Sequence, residues 1–109
     1  MVRIGVVFDH GQTRRLTVSG HAGQADPGFD IVCAGVSALV ETLRVGLEQV
    51  APGGARCTVA PGRAVFDMAA DASAAQRAVV DTIVAGLRDL AGSYPQFVAF
   101  EAGRGGEED

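Results

Sequence analysis

A histidine and a cysteine lie close together in the first third of the chain, separated by glycines and a proline. His21 ends a strand-like run, and Cys33 lies near the start of an apolar, helix-like run. A strand end, a loop and a helix N-terminus can bring an imidazole to a thiol, and the positive end of the helix favours the thiolate. The pair indicates a Cys33 nucleophile with His21 as its base, and the backbone amides near Val32 and Cys33 as candidate oxyanion donors.

Two polar residues accompany Cys33 on one ridge of the predicted helix. Asp30, Cys33 and Ser37 are spaced three and four residues apart. As a helix N-cap, Asp30 accepts a backbone amide and its charge opposes the thiolate; as a third triad member, it accepts the imidazole N–H and holds the tautomer. The Ser37 hydroxyl can bond the thiol, the loop or the helix backbone. The sequence leaves these alternatives open.

Each of these residues also has an ordinary structural explanation. A cysteine on an apolar helix is more often a small buried hydrophobe than a nucleophile, and a histidine at a strand end is more often simply solvated. Cys57 lies in a short strand with Val59, where we predict that it packs, and His10 lies in a turn with no evident partner. The His and Cys residues lack metal-ligand spacing, so we predict no metal site.

The composition predicts one globular domain. Of the 109 residues, 48% are hydrophobic and 20% are charged, which suffices for a single core. The net charge of −4 argues against a nucleic-acid partner, since such proteins normally have a basic face. Two cysteines make no disulfide framework, and no signal peptide or membrane-spanning apolar run is evident. We therefore expect a cytoplasmic protein with reduced thiols and no membrane association.

A hairpin and a loop precede Cys33. Alternating apolar residues predict strands over Val2 to Phe8 and Arg14 to Ser19. The loop at 22–29 is either a hinge-like lid or a phosphate-binding turn, and it lacks the lysine and the glycine spacing of the latter. Its residues that break helices and strands are Gly23, Pro27 and Gly28.

The rest of the chain predicts a helix from Asp30 to Val50, two short strands, a second helix and a last strand. An apolar residue recurs every three or four positions along the first helix, at Val32, Val36, Leu39, Leu43, Leu47 and Val50. The strands are expected at Arg56 to Ala60 and Ala64 to Ala69. The second helix begins with a capping box at Ser73 and runs to about Ala91, with an apolar stripe at Val79, Ile83, Leu87, Leu90 and Tyr94.

The order β-β-α-β-β-α-β predicts an α+β fold, a mostly antiparallel sheet with both helices on one face. The last strand is expected over Gln96 to Glu101, so residues 1–101 form the domain and 102–109 a disordered acidic tail. Gly46 and Gly86 lie inside the helices, where each costs about 1 kcal/mol relative to alanine. Close approach of the helices to each other or to the sheet is the expected reason.

The stretch around His21 and Cys33 resembles the signature of a known family. Gly20-His21-Ala22, then Gly28, then Asp30-Ile31-Val32-Cys33-Ala34-Gly35-Val36-Ser37-Ala38-Leu39 is similar to the motif of the bacterial ribosomal-processing cysteine proteases, called Prp. The predicted elements over residues 2–101 fit the outline of that family.

The resemblance implies a cysteine endopeptidase with Cys33 as nucleophile, His21 as base, and Asp30 and Ser37 as supporting residues. It implies that the substrate is the N-terminal extension of a large-subunit ribosomal protein, that the protein is a homodimer, and that no cofactor is needed. The loop between histidine and cysteine, which includes Ala22, Gly23 and Gly28, resembles a lid that moves to admit the peptide.

This sequence departs from the family pattern at two places. Gly35 takes the place of the usual alanine. The loop carries Gln24, Pro27 and Phe29, where the family more often has an aromatic and polar residues, and this bears on substrate fit more than on the chemistry.

Two other functions are compatible with the same residues. A dimeric peptide-binding or ribosome-assembly module could use the same site without cutting, because a small α+β fold does not fix function. A redox-sensing thiol is the third hypothesis, and the lack of a resolving cysteine near Cys33 in sequence makes it the weakest.

Overall fold

Five strands and two helices follow one another in the predicted order. The computed structural model describes residues 1–20, 29–54 and 56–104. The strands are β1 (Val2–Asp9), β2 (Gln12–Ser19), β3 (Arg56–Ala60), β4 (Arg63–Asp67) and β5 (Val98–Arg104). The helices are α1 (Phe29–Val50) and α2 (Ala74–Ser93).

The strands form one sheet in the order β3-β4-β2-β1-β5. The β1–β2, β2–β4 and β3–β4 pairs are antiparallel, and only β5 runs parallel to its neighbour β1. That pair is parallel because α2 lies between β4 and β5 in the chain and brings the last strand back in the direction of β1. The predicted α+β class with a mostly antiparallel sheet is confirmed.

The last strand is shifted relative to its prediction. It begins at Val98, two residues late, because the amides of Phe97 and Val98 both bond to the Tyr94 carbonyl in a turn. It runs to Arg104, three residues past Glu101, because β1 continues beside it as far as Phe8, which pairs with Arg104. Residues 105–109 of the predicted tail lie outside the described residues.

One core lies between the sheet and the two helices. Alternate residues of the strands point into it, and both helices contribute to the same cluster, which confirms that they share one face of the sheet. The fully buried large side chains are Phe66, Ile4, Leu16, Leu43, Leu47, Leu87, Val6, Val80 and Val98.

The predicted helix stripes are correct at most positions, but the buried faces also include residues next to the predicted ones. In α1, Val40 is buried, whereas Val50 is 41% exposed. In α2, Val80 and Val84 are buried, while Tyr94 lies beyond the helix and is exposed. The capping box at Ser73 and Gln76 is present, as predicted.

The glycines inside the helices mark where α1 and α2 approach closely. A Cβ placed on Gly46 would lie 3.1 Å from Val79 Cγ1, and one on Gly86 would lie 3.6 Å from Leu39 Cδ1. In each helix a glycine therefore leaves room for a side chain of the other helix. This confirms the predicted close approach.

Candidate functional site

The end of β2 fixes the chain immediately before His21. Gly20 has φ +108, its amide donates to the Gly62 carbonyl at 3.0 Å, and a Cβ on it would lie 2.3 Å from the Met1 carbonyl oxygen. Only glycine fits this conformation and this space. Four predicted site residues that follow it, His21, Ala22, Gly23 and Gly28, lie outside the described residues.

The first turn of α1 places Asp30 differently from one of its two predicted roles. The helix begins at Phe29, so Asp30 lies inside the first turn and not at the N-cap position. Its side chain is exposed. The interpretation in which Asp30 orients the imidazole is unaffected, because it depends on a histidine outside the described residues.

The same helix start changes the candidate oxyanion donors. In an α-helix each amide bonds to the carbonyl four residues earlier, so only the first few amides are free. With α1 beginning at Phe29, Cys33 is the fifth residue of the helix, so its amide pairs with the Phe29 carbonyl, and this argues against Cys33 as an oxyanion donor. Because helical side chains lean towards the N-terminus, the Cys33 thiol projects over this turn.

Cys33 is half-buried and packs against the core. Burial raises the pKa of its thiol above the usual range, and the charge of Asp30 raises it further. The predicted activation of the thiol by the helix N-terminus is thus opposed by its immediate surroundings, because desolvation and a neighbouring carboxylate both disfavour the thiolate.

An open cleft of about 440 Å³ contains Cys33. One wall is α1, which contributes Cys33, Ser37 and Glu41, and the opposite wall is the β3–β4 hairpin, which contributes Val59 and Ala60. Buried apolar side chains line its inner surface, namely Val18, Val36, Val40 and Ala64. The structure therefore brings Ser37 and Cys33 together beside a space large enough for peptide side chains.

A salt bridge lies at the rim of the cleft. The Arg44 guanidinium contacts the Glu41 carboxylate one turn away, and this hydrogen bond lowers the pKa of Glu41. Both side chains are largely solvent-exposed, so screening by water limits the strength of the pair.

The sequence analysis did not identify Glu41 or Val59 as parts of the cleft. Glu41 could have been identified, since residues 33, 37 and 41 are four apart and lie on one helix ridge. Val59 could not, because no local pattern tells which hairpin lies beside α1.

The other predicted histidine and cysteine lie apart from this arrangement. Cys57 is exposed on β3, so the prediction that it packs is wrong, because no described helix covers that strand. His10 lies in the β1–β2 turn with φ +55, and its Nδ1 lies 2.9 Å from Asp9 Oδ1, a partner that the sequence did not reveal.

The described residues show no cluster of three or more His, Cys, Asp or Glu side chains arranged to hold a metal ion. None of the described helices combines the length and the hydropathy needed to cross a membrane.

Comparison with known proteins gives one family and several similar folds. The model of the family described as cysteine protease Prp matches residues 1–99. The SMU.848 protein of Streptococcus mutans superposes with a TM-score of 0.81 at 25% identity, covering 95% of each chain. No curated protein sequence matches the chain.

Two structures from Staphylococcus aureus show the same fold at lower identity. Both are of the ribosomal processing protease Prp, one with a substrate peptide and one with a covalently linked product peptide. They superpose with TM-scores of 0.80 and 0.74 at 17% and 18% identity, covering 94% of this chain and 99% of theirs.

Proposed function

Since the chain belongs to the family of the cysteine protease Prp, we propose that it is a cysteine endopeptidase that removes the N-terminal extension of a large-subunit ribosomal protein. The observation that carries the proposal is the position of Cys33, half-buried at the start of α1 and open to an apolar cleft. The substrate class is supported by the Staphylococcus aureus protein of the same fold, which is a ribosomal processing protease.

In the proposed reaction, His21 removes the proton from the Cys33 thiol, and the thiolate attacks the carbonyl carbon of the scissile peptide bond. The imidazolium then protonates the leaving amine, which departs as the C–N bond breaks and leaves a thioester on Cys33. Water, deprotonated by the same imidazole, hydrolyses the thioester and restores the thiol. Backbone amides in the first turn of α1 are the candidate donors to the oxyanion.

The raised pKa of Cys33 gives the histidine a specific task. Because burial and the charge of Asp30 disfavour the thiolate, His21 is proposed as the base that removes the thiol proton at the moment of attack. Asp30 is proposed to hold the imidazole in its productive tautomer, and Ser37, exposed in the cleft one turn from Cys33, to bond the thiol or the bound peptide. These two residues act as supporting groups.

The family resemblance supplies the remaining parts of the proposal. The loop that includes Ala22, Gly23 and Gly28 acts as a lid over the cleft, and the enzyme works in the cytoplasm as a homodimer without a cofactor or metal. Nucleic acid and membrane are not partners in this proposal.

The proposal is tested by incubating the ribosomal proteins of the source organism, N-terminal extensions intact, with wild type and with Cys33→Ala. Mass spectrometry of the intact proteins should show loss of one defined N-terminal peptide with wild type only. The melting temperature of Cys33→Ala is the control for folding. Cleavage that persists in Cys33→Ala would exclude Cys33 as the nucleophile.

One observation favours a second function. A thiol whose pKa is raised in the resting protein also suits a dimeric module that binds a peptide, for example during ribosome assembly, without cutting it. Iodoacetamide labelling read peptide by peptide separates the two, with exposed Cys57 as the internal reference. Absence of cleavage together with slow labelling of Cys33 would support the binding module.

A further inference from the structure

The strand β3 lies at an edge of the sheet. Among the described residues it pairs only with β4, and all five of its residues are exposed. The two-residue turn Pro61-Gly62 joins it to β4, with Ala60 and Arg63 as the closing pair. In such a hairpin the closing pair exchanges both hydrogen bonds and the pattern alternates along the strand. The N–H and C=O groups of Cys57 and Val59 therefore point to the open edge.

The side chains of the same two residues point to the helix side of the sheet. Cys57 is opposite Phe66 and Val59 is opposite Ala64, and both partners are buried beneath the helices. Val59 is nevertheless 48% exposed, because the described helices stop short of covering β3. The edge thus combines free backbone groups with an uncovered apolar side chain.

The first half of α1 runs beside this edge. Val59 and Ala60 line the same cleft as Cys33 and Ser37. Further along, the pKa of Arg44 is raised, first by its hydrogen bond to Glu41 and to a smaller extent by the nearby Cys57, so Cys57 lies near the turn of α1 that carries Arg44. The cleft therefore lies between α1 and the end of β3, with Cys33 and Ser37 on the helix side and Val59 and Ala60 on the strand side.

We propose that the substrate peptide binds as a sixth strand on the open edge of β3, hydrogen-bonded to the backbone of Cys57 and Val59, with alternate side chains directed into the cleft beside Cys33. This inference rests on the protease function proposed above. It assigns the substrate class as an extended segment with apolar residues at alternate positions, since Val59 and Ala64 line the space that those side chains enter. Strand addition takes its affinity from the backbone and its specificity from such alternate pockets.

A peptide fits this edge better than a second copy of the chain does. A five-residue strand spans only about 17 Å, and a stable dimer usually buries roughly 1,200 Å² or more. The edge is also continuous with the cleft that contains Cys33, which a partner subunit in this position would obstruct.

The proposal is tested by hydrogen exchange followed by NMR in the Cys33→Ala protein. This variant lacks the proposed nucleophile, so the bound peptide should stay uncleaved. The probes are synthetic peptides from the N-termini of the large-subunit ribosomal proteins of the source organism, beginning with any that wild type cleaves. The amides of Cys57 and Val59 should exchange at least about tenfold more slowly with bound peptide. Those of β5, on the opposite edge, should not change.

A kinetic comparison provides the second test. Val59→Pro removes the outward N–H, whereas Val59→Ala removes only the side chain and is the matched control. We expect the proline variant to raise KM about tenfold over the alanine variant, with equal rates of Cys33 labelling as the check that the site is intact. Equal KM values in the two variants would contradict strand addition.

The remaining outcomes are distinguishable. A peptide that wild type cleaves and that Cys33→Ala binds, but that leaves the β3 amides unprotected, would contradict strand addition. The proposed protease function would still stand. Protection of β3 in the free protein that increases with protein concentration assigns the edge to a second copy and overturns the proposal. If wild type cleaves none of the peptides and none of the full-length ribosomal proteins, the protease function fails and this inference fails with it.

Discussion

Gly20 and Met1 are in contact where β2 ends, so close that a Cβ on Gly20 would lie 2.3 Å from the Met1 carbonyl oxygen. The contact, together with φ +108 at Gly20, sets the direction in which the chain leaves the sheet towards His21. The backbone immediately before the proposed base is therefore held by a contact with the start of the chain.

Gly20→Ala is expected to reduce both stability and cleavage. The new methyl group clashes with backbone atoms, which can move away only at a large energetic cost. The free energy of unfolding should therefore fall by about 2–3 kcal/mol. The displaced chain end should lower kcat at least about tenfold, because a small misplacement of a catalytic group is costly. Thermal unfolding and peptide cleavage measure the two effects.

Gly53→Ala is the matched control for that substitution. Gly53 also has a positive φ, +72, but nothing lies within 4 Å of the position that a Cβ would occupy there. It should lose only about 1 kcal/mol through backbone strain and keep full cleavage activity. If Gly20→Ala behaved like Gly53→Ala in both measurements, the contact with Met1 would have no role in the site.

Asp30→Asn is expected to separate thiol reactivity from catalysis. The charge of Asp30 raises the pKa of Cys33, so the neutral amide should lower that pKa and speed alkylation of Cys33 a few-fold near neutral pH. If Asp30 orients the imidazole as proposed, cleavage should fall in the same variant. Alkylation rates across pH and kcat for the peptide measure the two effects.

Glu48→Gln is the control for removal of a negative charge from α1. Glu48 lies 15 residues along the helix from Cys33, or about 22 Å, beyond the Debye length at physiological salt. Glu48→Gln should change neither the alkylation rate of Cys33 nor kcat for the peptide. Faster alkylation with unchanged cleavage in Asp30→Asn would show that Asp30 affects the thiol only through its charge. That result would exclude a role for Asp30 in orienting the imidazole.

The raised pKa of Cys33 also predicts a pH dependence of stability. A thiol that holds its proton more tightly in the folded state than in the unfolded chain stabilises the protein below the unfolded pKa, and this contribution is lost as the pH rises through the folded pKa. Wild type should therefore lose stability relative to Cys33→Ala between about pH 8 and pH 10. Parallel melting temperatures of the two proteins over that range would contradict the shift.

Local patterns predicted the elements well because their signals are local. Alternation in β1, the periodicity of α1 and the capping box at Ser73 each depend on residues close in sequence, and all three are present. The position of Cys33 near the start of α1 follows from the same reasoning.

What the sequence could not supply is the environment created by distant elements. The packing predicted for Cys57 fails because β3 turns out to be an uncovered edge, and the strand order that makes it one depends on pairing with β4 and β2. The raised pKa of Cys33 depends likewise on its burial against the core. Both depend on contacts between residues far apart in the chain.

The two helix glycines give a final prediction, in which two identical substitutions should differ. Alanine gains about 1 kcal/mol over glycine inside a helix. At Gly86 the new Cβ lies 3.6 Å from Leu39, an ordinary van der Waals contact, so Gly86→Ala should raise the free energy of unfolding by most of that amount. At Gly46 it lies 3.1 Å from Val79 Cγ1, and a β-branched side chain on a helix has essentially one χ1 rotamer to occupy.

Because Val79 cannot turn away, Gly46→Ala should force the helices apart by a few tenths of an ångström and lose part or all of the propensity gain. We expect Gly86→Ala to be more stable than wild type and Gly46→Ala to be less stable than Gly86→Ala by about 1 kcal/mol or more. Denaturant unfolding measures both differences. Restoration of the gain in the double variant Gly46→Ala/Val79→Ala would identify Val79 as the cause, and equal gains in the two single variants would show that the helix interface yields freely at Gly46.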